Sequence, residues 1–176
     1  MKQSAIGWTD YSGGPLNFSI GCTPVSEGCR NCYARHIYER FGKDFSKVTI
    51  YPDKLEKLRT MTFPQYSPKR GAPYRPMAFV VDMGDLFHED VPDDFIVEAL
   101  DVMRERVDVV WQILTKRAER MREVISLGVR NTGGEWCLSD NIWLGVSVEN
   151  QAMADERIPY LLHTPAAVRF VSVEPC

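Results

Sequence analysis

Val109-Val110-Trp111-Gln112-Ile113-Leu114, followed by Thr115-Lys116-Arg117 and then by Ala118 to Leu127, decides the fold class of this chain. The first six residues form a nearly continuous apolar run, the pattern of a strand buried on both faces. The stretch from Ala118 has helical spacing and is closed by Gly128. The same alternation recurs on either side. Upstream lie the run Met77-Ala78-Phe79-Val80-Val81 and a helix from Asp93 to Arg106, with Phe95, Ile96, Ala99, Leu100 and Met103 on one side and Pro92 marking its first turn. Downstream, past a Gly133-Gly134 turn, come Ile142 to Val148, a helix from Gln151 to His163, and Val168 to Val173. Strands separated by helices of about 10–15 residues imply βα units and a parallel sheet.

The N-terminal part is less regular. Leu16-Asn17-Phe18-Ser19-Ile20 alternates weakly and is expected to be a short first strand. Tyr33 to Phe41 has helical spacing and stops at Gly42. Residues 43–76 carry Pro52, Pro64, Pro68, Pro73 and Pro76 and predict an irregular excursion with at most one short helix near Lys54 to Arg59. The expectation is one α/β domain over residues 1–176, with about five strands and four to five helices.

Composition bounds the function classes. The chain has 176 residues, 44% hydrophobic and 26% charged, with a formal net charge of −3. That length suits one domain with a real core, and the charge gives no global reason to expect nucleic acid as a partner. No apolar stretch approaches the roughly 18 residues of a membrane span, and no signal peptide is visible. With an odd count of five cysteines, the expectation is a cytoplasmic protein with free or metal-bound thiols and no membrane partner.

Three of those cysteines fall in Gly21-Cys22-Thr23-Pro24-Val25-Ser26-Glu27-Gly28-Cys29-Arg30-Asn31-Cys32-Tyr33, spaced C-x6-C-x2-C. Three thiols this close point to a metal site. Three is one short of a closed tetrahedral zinc site and of the usual four-cysteine cluster ligation. Zinc completed by a remote ligand stays open. So does a 4Fe–4S cluster whose fourth iron is left to a small molecule.

In parallel α/β sheets ligands bind at the carboxyl ends of the strands. The residues just past each predicted strand are therefore the candidates: the three cysteines, then Asp82 and Asp85, then Thr115-Lys116-Arg117, then Ser147, Glu149 and Asn150, then Ser172 and Glu174. Each also has a plainer reading. Asp82, Asp85 and Glu149 suit helix caps or first turns, Lys116-Arg117 a solvated helix start, and Glu174 a strand exit. His36 and His163 suit surface or packing positions. His88 trails a strand end, and Cys137 reads as a lone thiol, buried or half-buried.

Taken together, Gly7-Trp8-Thr9-Asp10, the cysteine loop through Ala34, Gly84-Asp85-Leu86-Phe87-His88, Leu114-Thr115-Lys116-Arg117, Trp143 to Asn150 and Arg169 to Pro175 resemble the phage- and prophage-associated three-cysteine proteins. That family is similar to the radical S-adenosylmethionine enzymes. The resemblance covers nearly the whole chain. It implies an incomplete parallel (β/α) barrel with a 4Fe–4S cluster on Cys22, Cys29 and Cys32, and S-adenosylmethionine as cofactor on the unique iron. Reduction would cleave that cofactor to methionine and a 5′-deoxyadenosyl radical that abstracts hydrogen from a substrate, which includes nucleic acid among the candidates. By strand order Asp82 and Asp85 face the cofactor's amino-acid end, and Ser147, Glu149 and Glu174 its ribose or adenine.

Two features depart from the common radical-enzyme pattern. The first cysteine gap is six rather than three, and the aromatic Tyr33 follows the last cysteine instead of preceding it. The chain also ends as its fifth expected strand finishes. That implies an N-terminal part of a longer protein, cut at an intein or split-gene junction at Cys176 and partnered by a C-terminal fragment. The alternative expectation is a non-catalytic zinc protein of the host cytoplasm. It would contact a macromolecule through Lys69, Arg70, Arg75, Lys116 and Arg117.

Overall fold

The computed structural model describes residues 3–64, 74–131 and 137–174. Two short strands near the N-terminus, β1 (Ser19–Ile20) and β2 (Thr49–Ile50), form an antiparallel ribbon. The main sheet consists of β3 (Met77–Phe79), β4 (Val110–Thr115), β5 (Ile142–Val148) and β6 (Val168–Val173), all parallel and in chain order. Among the described residues five α-helices accompany them: α1 (Tyr33–Arg40), α2 (Pro52–Thr60), α3 (Asp93–Glu105), α4 (Ala118–Asn131) and α5 (Gln151–His163). Helix α4 runs past Gly128, and α5 is started by Asn150, whose side chain accepts from the Met153 amide at 2.9 Å.

The strand register sorts the side chains into two faces. Ala78, Trp111 and Ile142 are paired across three strands, and with Ile113, Leu144 and Val146 they belong to the hydrophobic core shared with α3 and α4. The other face carries Phe79, Gln112 and Trp143 in one row and Leu114, Gly145 and Phe170 in the next. A strand period of two puts alternate residues on opposite faces, so this second face lies outside the main core. Gly145 is there for close approach: a Cβ at that position would enter the ring of Phe170.

The expected first strand is corrected. Gly14–Leu16 is a 3-10 turn, and only Ser19–Ile20 is extended, in the separate ribbon. Gly13 and Gly14 hold positive φ angles of 79° and 58°, and Pro15 has no amide to donate, so a ladder cannot run through them. Instead the segment just before them lies along β3. Tyr11 forms a parallel bridge with Ala78, and the Phe79 amide donates to the Tyr11 carbonyl at 2.9 Å. Thr9 and Asp10, both fully buried, staple it down: Thr9 Oγ1 donates to the Met77 carbonyl at 3.1 Å, and Asp10 Oδ2 accepts from the Met77 amide at 2.9 Å. The parallel sheet therefore has four strands rather than five, and no closed barrel is formed among the described residues.

The excursion at 43–76 is better ordered than expected where it is described. It holds β2 and a nine-residue α2 that buries Leu55 and Leu58. The Gly133-Gly134 turn, Lys69, Arg70 and the junction expectation at Cys176 fall outside the described residues. No helix among the described residues is long and apolar enough to cross a membrane.

Candidate functional site

The cysteine loop is set across the carboxyl ends of the parallel strands by a series of specific contacts. Gly21 has φ of 102°, and a Cβ there would meet the Lys47 carbonyl oxygen at 2.6 Å, so only glycine allows the turn into Cys22. The Gly21 amide donates to the Met83 carbonyl at 3.0 Å, and the Cys22 amide to the Phe45 carbonyl at 2.9 Å. Further along, the Glu27 carboxylate accepts from Asn150 Nδ2 at 2.7 Å. Gly28 abuts the Glu149 side chain, which would lie 3.0 Å from an added Cβ. Cys29 falls in the 3-10 turn Glu27–Asn31, and Cys32 directly precedes α1.

All three cysteines line one cavity of about 190 Å³. Its other walls are strand ends: Asp82, Asp85, Lys116, Ser147 and Glu174 contribute polar groups, and Phe79 and Leu114 contribute the floor. The thiols are not equivalent. Burial, aided by the Asp85 charge, pushes the Cys22 thiol up to about 11 against the opposing pull of Arg117. Burial also acts to raise Cys29, but hydrogen bonds from Val25 and Ser26 and the Lys116 charge outweigh it and hold that thiol below its ordinary value. Cys22, Cys29, Cys32 and Cys137 are free of disulfides. Among the described residues no three His, Cys, Asp or Glu side chains are gathered to hold one metal ion. Cys137 is exposed rather than buried.

The other sequence candidates divide by what they touch. Asp82 lines the cavity; its carboxylate accepts from Asn17 Nδ2 at 2.5 Å, and burial raises its pKa. The residue before it, Val81, holds φ of 57°. That costs a β-branched residue about 1–3 kcal/mol and turns the chain sharply at the cavity wall. Asp85 is a structural hub. Its oxygens accept from Thr115 Oγ1 at 2.7 Å, the Phe87 amide at 3.0 Å, and the Lys116 amide and Arg117 Nη1 at 3.3 Å each. Glu174 bridges Ser147 Oγ at 2.9 Å and Lys116 Nζ at 3.0 Å, forming one polar cluster on the wall. Glu149 is not among the groups facing the cavity. It pairs with Arg157 at 2.9 Å behind the loop, with side chains 1% and 2% exposed. Asp82, Asp85 and Glu149, expected as helix caps or first-turn residues, start none of the helices among the described residues.

Three contributors were underweighted by sequence reasoning. Arg117 is buried rather than solvated, donating to Cys22 Sγ at 3.3 Å and to the Thr23 carbonyl at 3.1 Å. Buried His88 meets Thr23 Oγ1 through Nε2 at 2.8 Å and accepts from the Asp90 amide at Nδ1. Burial first, then Arg117, lowers its pKa, so it braces the loop as a neutral ring. Tyr33, exposed as a residue, donates to the Asp82 carbonyl at 2.5 Å. A basic residue after a strand and an aromatic after the last cysteine were the available signals. Of the basic residues expected to contact a macromolecule, Arg75, Lys116 and Arg117 are all engaged in ion pairs within the chain.

No curated protein and no solved structure matches the chain significantly. The match that covers it extends over residues 3–176, and the chain belongs to the family described as "Protein of unknown function (DUF5131)".

Proposed function

We propose that this chain is a radical S-adenosylmethionine-type iron–sulfur protein, built on an incomplete parallel (β/α) barrel of the kind found in those enzymes. The observation that carries the reading is the convergence of Cys22, Cys29 and Cys32 on one cavity at the carboxyl ends of the strands, opposite a wall of carboxylate, hydroxyl and ammonium groups. The donor set fits a 4Fe–4S cluster. Thiolates are soft ligands suited to iron–sulfur clusters, and three of them leave one iron open. A single zinc ion at about 2.3 Å from each sulfur needs its thiolates within about 4 Å of one another. A cluster gives each thiolate its own iron, which suits three thiols that line one cavity without being gathered around one ion.

When bound, the cluster with S-adenosylmethionine supplies one-electron cleavage of the cofactor and hydrogen-atom abstraction from a substrate. The chain's own residues bind and orient. Lys116 offers an ammonium to a carboxylate, Asp82 a carboxylate to an amine, and Ser147 with Glu174 partners for ribose hydroxyls. Asp85 and Arg117 hold the loop and the strand ends in place. Arg117, against Cys22 Sγ, favours the thiolate that ligation requires.

Anaerobic purification and reconstitution test the reading. About four irons and four sulfides per chain, with broad visible absorption that Cys22→Ala, Cys29→Ala and Cys32→Ala each abolish, is the expected result. Stoichiometric zinc that survives reconstitution, with no iron taken up, overturns it and favours the zinc-binding module.

A further inference from the structure

Below the cysteine cavity, on the same face of the sheet, lies a second cavity of about 280 Å³. Trp8, Met77, Gln112, Trp143, Phe170 and Ser172 line it. Trp8, Trp143 and Phe170 each remain partly exposed, so this aromatic surface is not consumed by the core. The Gly7-Trp8-Thr9-Asp10 stretch gains a purpose here. The Thr9 and Asp10 staples on Met77 hold the Trp8 ring 4.9 Å from Phe79 and 5.9 Å from Phe170, at the rim of the cavity.

Gln112 supplies the polar feature. It is 3% exposed. Its Nε2 donates to the Trp8 carbonyl at 3.4 Å, which fixes the sense of the amide. The Oε1 atom is buried and accepts no hydrogen bond among the described residues. Leaving a buried acceptor unmet costs about 1–3 kcal/mol. A leucine of similar shape would avoid that cost in a strand that is otherwise almost wholly apolar. A ligand that brings a donor removes it.

We propose that this cavity binds a planar nitrogen heterocycle with an N–H donor, of the purine, pyrimidine or indole class. The ring lies among Trp8, Trp143 and Phe170, and its N–H donates to Gln112 Oε1. Aromatic walls favour flat π-systems, and the volume, at the small end for ligand pockets, suits one mono- or bicyclic ring. Gln112 and Leu114 share a face of β4 two residues apart, and Leu114 lines the upper cavity. That separation is about 7 Å along the strand, so a group attached to the ring reaches the upper cavity. The proposal concerns the metal-free protein and stands whether or not the thiols carry a cluster.

The test is a 1H–15N NMR titration following the indole N–H signals of Trp8 and Trp143 and the Gln112 side-chain amide. The probes are indole, adenine, uracil and benzofuran, the last being an indole isostere without the donor. Saturable shifts of all three reporters with indole or a base, with benzofuran about tenfold weaker, support the proposal. Comparison of indole with adenine and uracil identifies which ring class is taken. Gln112→Leu is expected to close the gap between indole and benzofuran; if that variant does not fold, the comparison on the wild-type chain still decides. Equal binding of indole and benzofuran would reduce the site to an apolar void and overturn the proposal. Absence of any shift overturns it too, as does concentration-dependent dimerisation that shifts the same signals without a probe, which would make the cavity a contact between two copies.

Discussion

Arg117, the residue before α4, donates through Nη1 to Cys22 Sγ at 3.3 Å while its Nη2 holds the Thr23 carbonyl at 3.1 Å. One guanidinium thus joins the first cysteine to the β4 strand end, where it also pairs with buried Asp85 at 3.3 Å. The Arg117 and Asp85 side chains are 5% and 6% exposed. Removing the cation strands a buried carboxylate. Arg117→Met is expected to lower stability in urea by about 3–5 kcal/mol. Adding Asp85→Asn should restore part of the loss. Arg117→Lys keeps the charge but not the fork that serves Cys22, Thr23 and Asp85 together, and is expected to fall between wild type and Arg117→Met.

Glu149 and Arg157 form the second buried pair, behind the cysteine loop. Burial acts to raise the Glu149 carboxyl, but the Ser26 hydrogen bond and the Arg157 charge outweigh it and hold the pKa below the ordinary glutamate value. A depressed folded pKa contributes stability that is complete above the unfolded value and is lost as pH falls through the folded one. Urea midpoints measured down through the glutamate range should therefore fall more steeply for wild type than for Glu149→Gln. Equal slopes would show that the pair does not contribute this way.

Gly145 lies under the Phe170 ring with no room for a methyl group. Gly145→Ala is expected to destabilise the chain by about 1–3 kcal/mol through overpacking, read as a lower thermal midpoint. The damage should be smaller in a Phe170→Leu background, giving a clear coupling energy between the two sites.

On the proposed reading, the Ser147–Glu174–Lys116 cluster allows cofactor binding to be tested apart from cluster loading. Lys116→Met should leave iron content unchanged and weaken S-adenosylmethionine binding to the reconstituted protein by about tenfold or more, the loss of one charge-assisted contact. Calorimetric titration alongside iron analysis reads both. Loss of iron in this variant would instead give Lys116 a role in holding the loop.

Local pattern carried much of the architecture. The apolar runs at Met77, Val110, Ile142 and Val168 appear as four parallel strands, and Gln151–His163 is a helix with the expected bounds. Burial imprints hydrocarbon on β3, β4 and β5, whereas β6, at the sheet edge, keeps an apolar sequence while alternating half-buried and exposed residues. The segment Leu16 to Ile20 misled because its weak alternation carries no information about partners. The glycines, Pro15 and the Thr9 and Asp10 staples determine which N-terminal stretch lies along β3.

For the site, the chain order of βα units was enough to bring Asp82, Asp85, Ser147 and Glu174 to one end of the sheet, since parallel connections return every strand with its carboxyl end on the same side. The cysteine loop instead follows the antiparallel ribbon and is held at that end by the Gly21 and Cys22 amides on the Met83 and Phe45 carbonyls. Their division of labour was not legible. Asp85 and Asp82 are the same residue type three positions apart, yet one is pinned by four donors and the other faces the cavity wall. Glu149 and Glu174 both follow strands, and only the packing of Gly28 and Arg157 turns Glu149 behind the loop. Composition and spacing are one-dimensional and name the chemistry available. Which carboxylate is neutralised by a buried cation, and which is left to face a ligand, depends on neighbours many residues distant that meet only when the sheet is assembled.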